Sequence, residues 1–165
     1  MDRLWSPWRY DYINKSDPSG EKSEAPACVF CAMLEAEGDD ESKYIFHRAR
    51  YNFLVLNIYP YISGHLMVVP YEHLSELAHA PKETTDEMMD LAKRAQSALG
   101  EVYRPDGFNL GMNLGRAAGA GVADHFHLHL MPRWTGDTNF MTTVGETRVH
   151  PEDLKTTYRK LRGQF

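Results

Sequence analysis

Histidines recur at every second position in His125-Phe126-His127-Leu128-His129-Leu130-Met131, a run closed by Pro132. Side chains on a strand alternate between faces, so this spacing predicts three imidazoles on one face and Phe126, Leu128 and Leu130 on the other. Same-face neighbours lie roughly 6.6 Å apart, which puts His125 and His129 about 13 Å apart along the backbone. One ion cannot readily hold all three, although two adjacent members can share one. A row of imidazoles also suits phosphoryl chemistry, which needs a nucleophile unprotonated near neutral pH and neighbours that donate to phosphate oxygens. A plain polar ladder on an exposed sheet face would more ordinarily be built of Thr, Lys or Glu.

The second chemical feature is the cysteine pair of Cys28-Val29-Phe30-Cys31, the only cysteines of the chain. In a reducing compartment this spacing reads as a redox pair or as half a zinc site. A thioredoxin-type pair belongs at a helix start after a strand, whereas this one follows the polar linker Asn14 to Ala27. Zinc requires two further ligands, most simply histidines, and a filled set of two Cys and two His leaves no open position for water.

His125 to Met131 resembles the His-x-His-x-His-apolar-apolar signature of the histidine triad (HIT) family of nucleotide hydrolases and transferases. Tyr59-Pro60-Tyr61-Ile62-Ser63-Gly64-His65-Leu66-Met67-Val68-Val69-Pro70 is similar to the family's Pro-x-x-x-Gly-His-x-x-Val-x-Pro segment. Asp106 to Asn113 resembles the strand that precedes the signature. The resemblance runs from about Cys28 to Trp134 and is greatest to the bacterial diadenosine tetraphosphate phosphorylase-like branch, to which the aromatic N-terminal segment adds a shorter match.

The resemblance implies a dinucleoside polyphosphate or related nucleotide substrate and a nucleotidyl-histidine intermediate on His127. It implies His129 as a donor to phosphate oxygens and His65 as a supporting residue, the alternative for His65 being a polar bond within the core. The tautomer of His127 would be set by a fixed acceptor, for which a carbonyl near Gly64 and His65 is a candidate. Asn57 matches a nucleoside-contacting position, or else it is a strand-end residue that satisfies turn amides. Asn113 and the loop around Gly119 and Gly121 are expected to help bind phosphate. Isolated arginines are usually solvated, so Arg116 and Arg133 stay outside the expected site. In the zinc-containing members the remaining ligands correspond to His73 and His125, which completes a structural site with Cys28 and Cys31. No organic cofactor is implied, and the family commonly forms homodimers. Where hydrolases of the family carry Gln-Ser or Gln-Thr, this chain has Gly121 and Val122, a departure that points to inorganic phosphate as the second nucleophile.

The elements that must position these groups follow from pattern. A short helix is expected from Met33 to Glu41, ending near Gly38. Strands are expected at Tyr44 to His47, Phe53 to Leu56 and His65 to Val69, the last two joined antiparallel by a turn at Tyr61 to Gly64. Thr84-Thr85-Asp86-Glu87 has capping-box spacing and opens a helix whose stripe of Met88, Leu91, Ala95, Ala98, Leu99 and Val102 runs until Pro105. That stripe can cover the Phe126, Leu128 and Leu130 face. Phe108, Leu110, Met112 and Leu114 alternate with Asn109, Gly111 and Asn113 as in a half-buried strand. A closing helix is expected over Pro151 to Arg162, carrying Leu154 and Leu161. The expected fold is α+β: a curved, mainly antiparallel sheet of about five strands with one long helix and a C-terminal helix.

The 165 residues suit one domain, with an aromatic arm and linker over 1–27, a HIT domain over 28–134 and a C-terminal extension over 135–165. The arm, rich in Trp5, Trp8, Tyr10 and Tyr12, must pack on something, either as an anchor or as a platform near a base. No apolar run is long enough to cross a bilayer and no secretory signal opens the chain, so no membrane partner and a cytoplasmic location are expected. A net charge of −5 argues against a nucleic-acid polymer as partner. Two readings of other classes remain: a zinc-stabilised nucleotide-binding module with little catalysis, and a redox protein using Cys28 and Cys31.

Overall fold

The computed structural model describes residues 28–138, 142 and 150–165. The aromatic arm and most of the 139–149 stretch lie outside them. The described elements are α1 (Val29–Glu35), β1 (Ile45–Arg48), β2 (Asn52–Leu56), β3 (Leu66–Pro70), α2 (Lys82–Tyr103), β4 (Gly107–Gly111), β5 (Leu128–Arg133) and α3 (Leu154–Leu161). The five strands form one antiparallel sheet in the order β1-β2-β3-β5-β4, so the expected α+β architecture holds.

β2 and β3 are apolar on both faces, because the sheet is covered on both sides. One side packs Leu54, Leu56, Leu66, Val68, Leu128 and Leu130 against the α2 stripe of Met88, Leu91, Ala95 and Leu99, with Phe126 in the same cluster. The other side packs Phe53, Val55, Met67 and Val69 against Phe30 of α1. The expected cover of the Phe126, Leu128 and Leu130 face by the long helix is therefore what forms. Leu161 of α3 enters the same cluster, and Tyr158 ties the helix to the sheet by donating to the Ile45 carbonyl at 2.9 Å.

Several boundaries differ from the sequence expectation for identifiable reasons. α1 starts at Val29 and not Met33, because Phe30 is drawn into the core from the first turn. It ends at Glu35, and the acidic stretch that follows is not helical. α2 starts at Lys82 and Thr84 does not cap it. Glu87 is engaged elsewhere: its carboxylate accepts from the backbone N–H groups of Arg50, Tyr51 and Asn52 and from Asn52 Nδ2, clamping the β1–β2 turn to α2. Ladder pairing of β5 begins only at Leu128, because two residues earlier Phe126 N–H donates to the Leu74 carbonyl. The strand then runs through Pro132, where β3 no longer pairs and proline costs no ladder bond on that side. β4 is an edge strand that stops at Gly111; Phe108 and Met112 pack against the α2 core, while Leu110 (47% exposed) and Leu114 (44%) remain largely in solvent.

Candidate active site and metal centre

The segment from His125 to His129 crosses between the two cores with its even-numbered residues in the α2 core. The odd-numbered histidines therefore emerge together on the α1 side, all of them buried. The backbone departs from regular pairing before Leu128, and each ring consequently finds a different partner.

His125 turns to the cysteines. Its Nδ1 lies 3.2 Å from Cys28 Sγ and 3.7 Å from Cys31 Sγ, while Nε2–H donates to the Pro70 carbonyl at 2.9 Å. His73 Nδ1 lies 3.4 Å from Cys31 Sγ, and all four donor atoms fall within 4.8 Å of one another. Tetrahedral zinc with bonds near 2.0–2.3 Å sets ligand atoms about 3.3–3.8 Å apart, so the quartet fits the ion. The Pro70 carbonyl fixes the His125 tautomer that aims a lone pair at the cysteines, as an outer partner of a metal ligand does. Burial and then the adjacent Cys28 raise the Cys31 thiol. Two neighbouring sulfurs ionise reluctantly without a cation, which is what a dication would relieve.

His127 is oriented from within its own segment. Its Nδ1–H donates to the His125 carbonyl at 3.0 Å, which leaves the Nε2 lone pair free of the proton. The acceptor is thus not the expected carbonyl near Gly64, because a bond two residues back along the chain is already made. Phe30 sits 5.0 Å from the His127 ring and 5.4 Å from that of His125, and His129 packs edge-on to His127 at 4.7 Å.

His129 closes a chain of hydrogen bonds. Tyr61 N–H donates to His65 Nδ1 at 3.1 Å, so the proton of His65 resides on Nε2. That Nε2–H donates to His129 Nδ1 at 2.9 Å, leaving the Nε2–H of His129 as a donor for a ligand. His65 holds this position because Gly64 has φ +78° and a Cβ there would meet Leu99 Cδ2 at 3.1 Å and Pro132 Cγ at 3.2 Å. Burial depresses all three imidazoles: His65 well below its ordinary value, with the neighbouring His129 and His127 adding to the effect; His127 more mildly; and His129 to about 4, helped by His127. The cluster is neutral at physiological pH, with a lone pair on His127 and an N–H donor on His129 one step away.

The remaining expected residues divide. Asn113 lines a cavity of about 170 Å³ together with Tyr61, Asn109, Met131 and His129. Asn57 is buried with its side chain taken up locally: Oδ1 accepts from Tyr59 N–H at 2.8 Å and Nδ2 lies 3.3 Å from His65 Nδ1. The Gly119 N–H closes the 3-10 turn Arg116–Ala118 by donating to the Arg116 carbonyl, and Gly121 lies in the following bend. Arg133 is held by Asp137 at 2.5 Å and by Asn109 at 2.6 Å. The structure also brings in Phe30, the Pro70 carbonyl and the Tyr61 amide, none of which pattern reading singled out. Only Phe30 carried a sequence signal, as one of two apolar residues between candidate ligands.

A model of the HIT domain matches residues 38–136. The chain belongs to the HIT family. An AP-4-A phosphorylase of Mycobacterium tuberculosis is 41% identical to it across 98% of this chain and 83% of that protein, which supports the phosphorylase-like branch of the HIT family. The adenosine 5'-monophosphoramidase HNT1 of Saccharomyces cerevisiae is 29% identical over 74% of this chain and 72% of its own length. Among solved structures, a zinc-bound histidine triad family protein from Mycobacterium smegmatis superimposes with a TM-score of 0.68 at 29% identity, covering 84% of this chain and 92% of that one. These likenesses support a HIT enzyme acting on nucleotides.

Proposed function

We propose that this HIT protein cleaves dinucleoside polyphosphates of the diadenosine tetraphosphate type at an α-phosphate, with His127 as nucleophile and inorganic phosphate as acceptor. The observation that carries the reading is the bond from His127 Nδ1–H to the His125 carbonyl, which leaves Nε2 unprotonated in a water-poor site. In the first half-reaction Nε2 attacks the α-phosphorus, a P–N bond forms, and the bond to the departing polyphosphate breaks. The chain Tyr61–His65–His129 aims the His129 Nε2–H at the oxygens on which charge develops. In the second half-reaction a phosphate oxygen attacks the same phosphorus and the P–N bond breaks, giving ADP beside the ATP released first. Splitting the transfer lets one site position each partner in turn.

Asn113, beside His129, is the substrate-binding residue best placed for phosphate or ribose. Asn57 and Gly119 act by holding the 57–65 connection and the 115–124 loop in shape, and Gly121 gives the acceptor room. Cys28, Cys31, His73 and His125 hold a structural zinc, which when bound closes a four-ligand shell and pins α1 to the His125 segment. Under this reading the protein works as a cytoplasmic homodimer with no organic cofactor. Among the described residues no helix is long and apolar enough to cross a membrane.

Incubation with diadenosine tetraphosphate with and without phosphate tests the reading. ADP plus ATP formed only with phosphate supports it, whereas AMP plus ATP formed without phosphate makes the protein a hydrolase. The likeness to a phosphoramidase keeps that second outcome in view. Gly121→Gln, which restores a polar side chain beside the acceptor, should raise the hydrolysed fraction several-fold; an unchanged product ratio would remove Gly121 from acceptor choice.

A further inference from the structure

We propose that Phe30 is a positioning residue for His127, through which the helix that carries Cys31 and starts at Cys28 fixes the ring that performs the transfer. The inference rests on the proposed nucleophilic role of His127.

The His127 ring is bounded by three described contacts. Its Nδ1–H is bonded to the carbonyl of His125, itself a candidate metal ligand. His129 packs edge-on at 4.7 Å, and Phe30 packs at 5.0 Å with the rings inclined by 60°. One hydrogen bond sets which nitrogen carries the proton but leaves the imidazole free to swing about it. The flanking rings remove that freedom. Phe30 is itself immobilised: it is 3% exposed, lies between Cys28 and Cys31 in the chain, and packs with Ile45, Phe53, Val55, Met67 and Val69. The metal quartet therefore reaches His127 by two routes, through the His125 carbonyl and through the Phe30 ring.

Truncating Phe30 opens space beside His127, and the ring can then leave its bond to the His125 carbonyl. A displacement of about 1 Å at a reacting atom costs on the order of 100-fold in rate. The loss should fall on formation of the nucleotidyl-enzyme and not on substrate affinity. It should also appear without substrate, as a mixed tautomer of His127.

Phe30→Ala and the milder Phe30→Leu test this in the zinc-loaded full-length protein. Three quantities are read: zinc per chain, the single-turnover rate of nucleotidyl-enzyme formation against KM, and the His127 tautomer by long-range 1H–15N correlation. Expected are unchanged zinc, a rate about 100-fold lower for Phe30→Ala and about 10-fold lower for Phe30→Leu, little change in KM, and a mixture of Nδ1–H and Nε2–H forms. Should Phe30→Ala fail to fold, Phe30→Leu decides alone. A wild-type rate with a pure Nδ1–H signal, or a loss confined to KM, would overturn the proposal. If the wild-type protein forms no nucleotidyl-enzyme, the functional reading fails, and the tautomer spectra still decide whether Phe30 orients the ring.

Discussion

His127 and His129 sit one same-face step apart yet carry opposite instructions about their protons. The His125 carbonyl claims the Nδ1 proton of His127, and the His65 N–H claims the Nδ1 lone pair of His129. The outcome is a bare Nε2 beside a protonated one, as the proposed pairing of a nucleophile with a donor requires. Replacing His127 by Asn keeps a polar side chain able to donate to the same carbonyl. Turnover of diadenosine tetraphosphate should fall at least 1,000-fold while the thermal midpoint moves only a few degrees, and preserved turnover would exclude His127 as nucleophile. The same burial makes a pH prediction. His129 is pushed down to about 4 in the fold against an ordinary 6.5, so the unfolded chain takes up its proton first as the solution is acidified. Stability is then complete above about pH 6.5, falls as pH drops toward about 4, and levels off beyond, with His129 alone worth up to about 3 kcal/mol. His65 and His127 are shifted in the same direction and add to the slope. Urea titrations at pH 7.5 and pH 5 measure it, and equal midpoints would mean that the imidazoles are not held neutral.

Two elements place these rings. The β2–β3 connection places His65 through Gly64, whose positive φ and lack of a side chain let it lie against Leu99 and Pro132. α2 underlies the other face, and its hold on the sheet depends on a residue that pattern reading assigned to a different task. Glu87 was expected to complete a cap with Thr84, yet in the fold it gathers three backbone N–H groups and the Asn52 amide at 2.8–3.0 Å. Capping-box spacing is a local signal, and a cluster of four donors from a neighbouring turn outweighs it. Glu87→Ala should therefore cost about 2–4 kcal/mol in chemical denaturation, well above the roughly 1 kcal/mol of a lost helix cap. A loss near 1 kcal/mol would restore the capping role.

At the scale of the whole molecule, α1 is a short element that its own seven residues cannot sustain, and with its N-cap Cys28 it supplies two of the four candidate metal ligands. Its anchors are Phe30 in the second core and the Cys28, Cys31, His73 and His125 quartet, which joins it to the chain between β3 and α2 and to the triad segment. A structural ion there would link three distant stretches of sequence. The purified protein should contain about one zinc per chain by atomic emission, and chelation should lower the thermal midpoint by about 5 °C or more. Absence of metal together with an unmoved midpoint would show that the fold dispenses with it. The redox reading gains little: the pair does lie at a helix start, but a histidine nitrogen lies beside each sulfur.

The sequence by itself determined the α+β class, the alternation of the triad and the cover over its apolar face, because period-two and period-3.6 patterns are set by the same backbone geometry that builds strands and helices. It also determined the quartet of Cys28, Cys31, His73 and His125 and the grouping of His65 with the triad, since both lie within motifs whose order is that of a known family. The tertiary structure alone decided which partner each histidine nitrogen takes. Those partners are the Pro70 and His125 carbonyls and the Tyr61 amide, backbone groups that every sequence possesses and that become specific only when the chain is folded. It likewise decided that Glu87 serves a turn and not a cap, that Leu110 on the edge strand and Leu114 beyond it stay exposed, and that Phe30 touches both His125 and His127. Each of these depends on contacts between segments far apart in the chain, which no local pattern encodes.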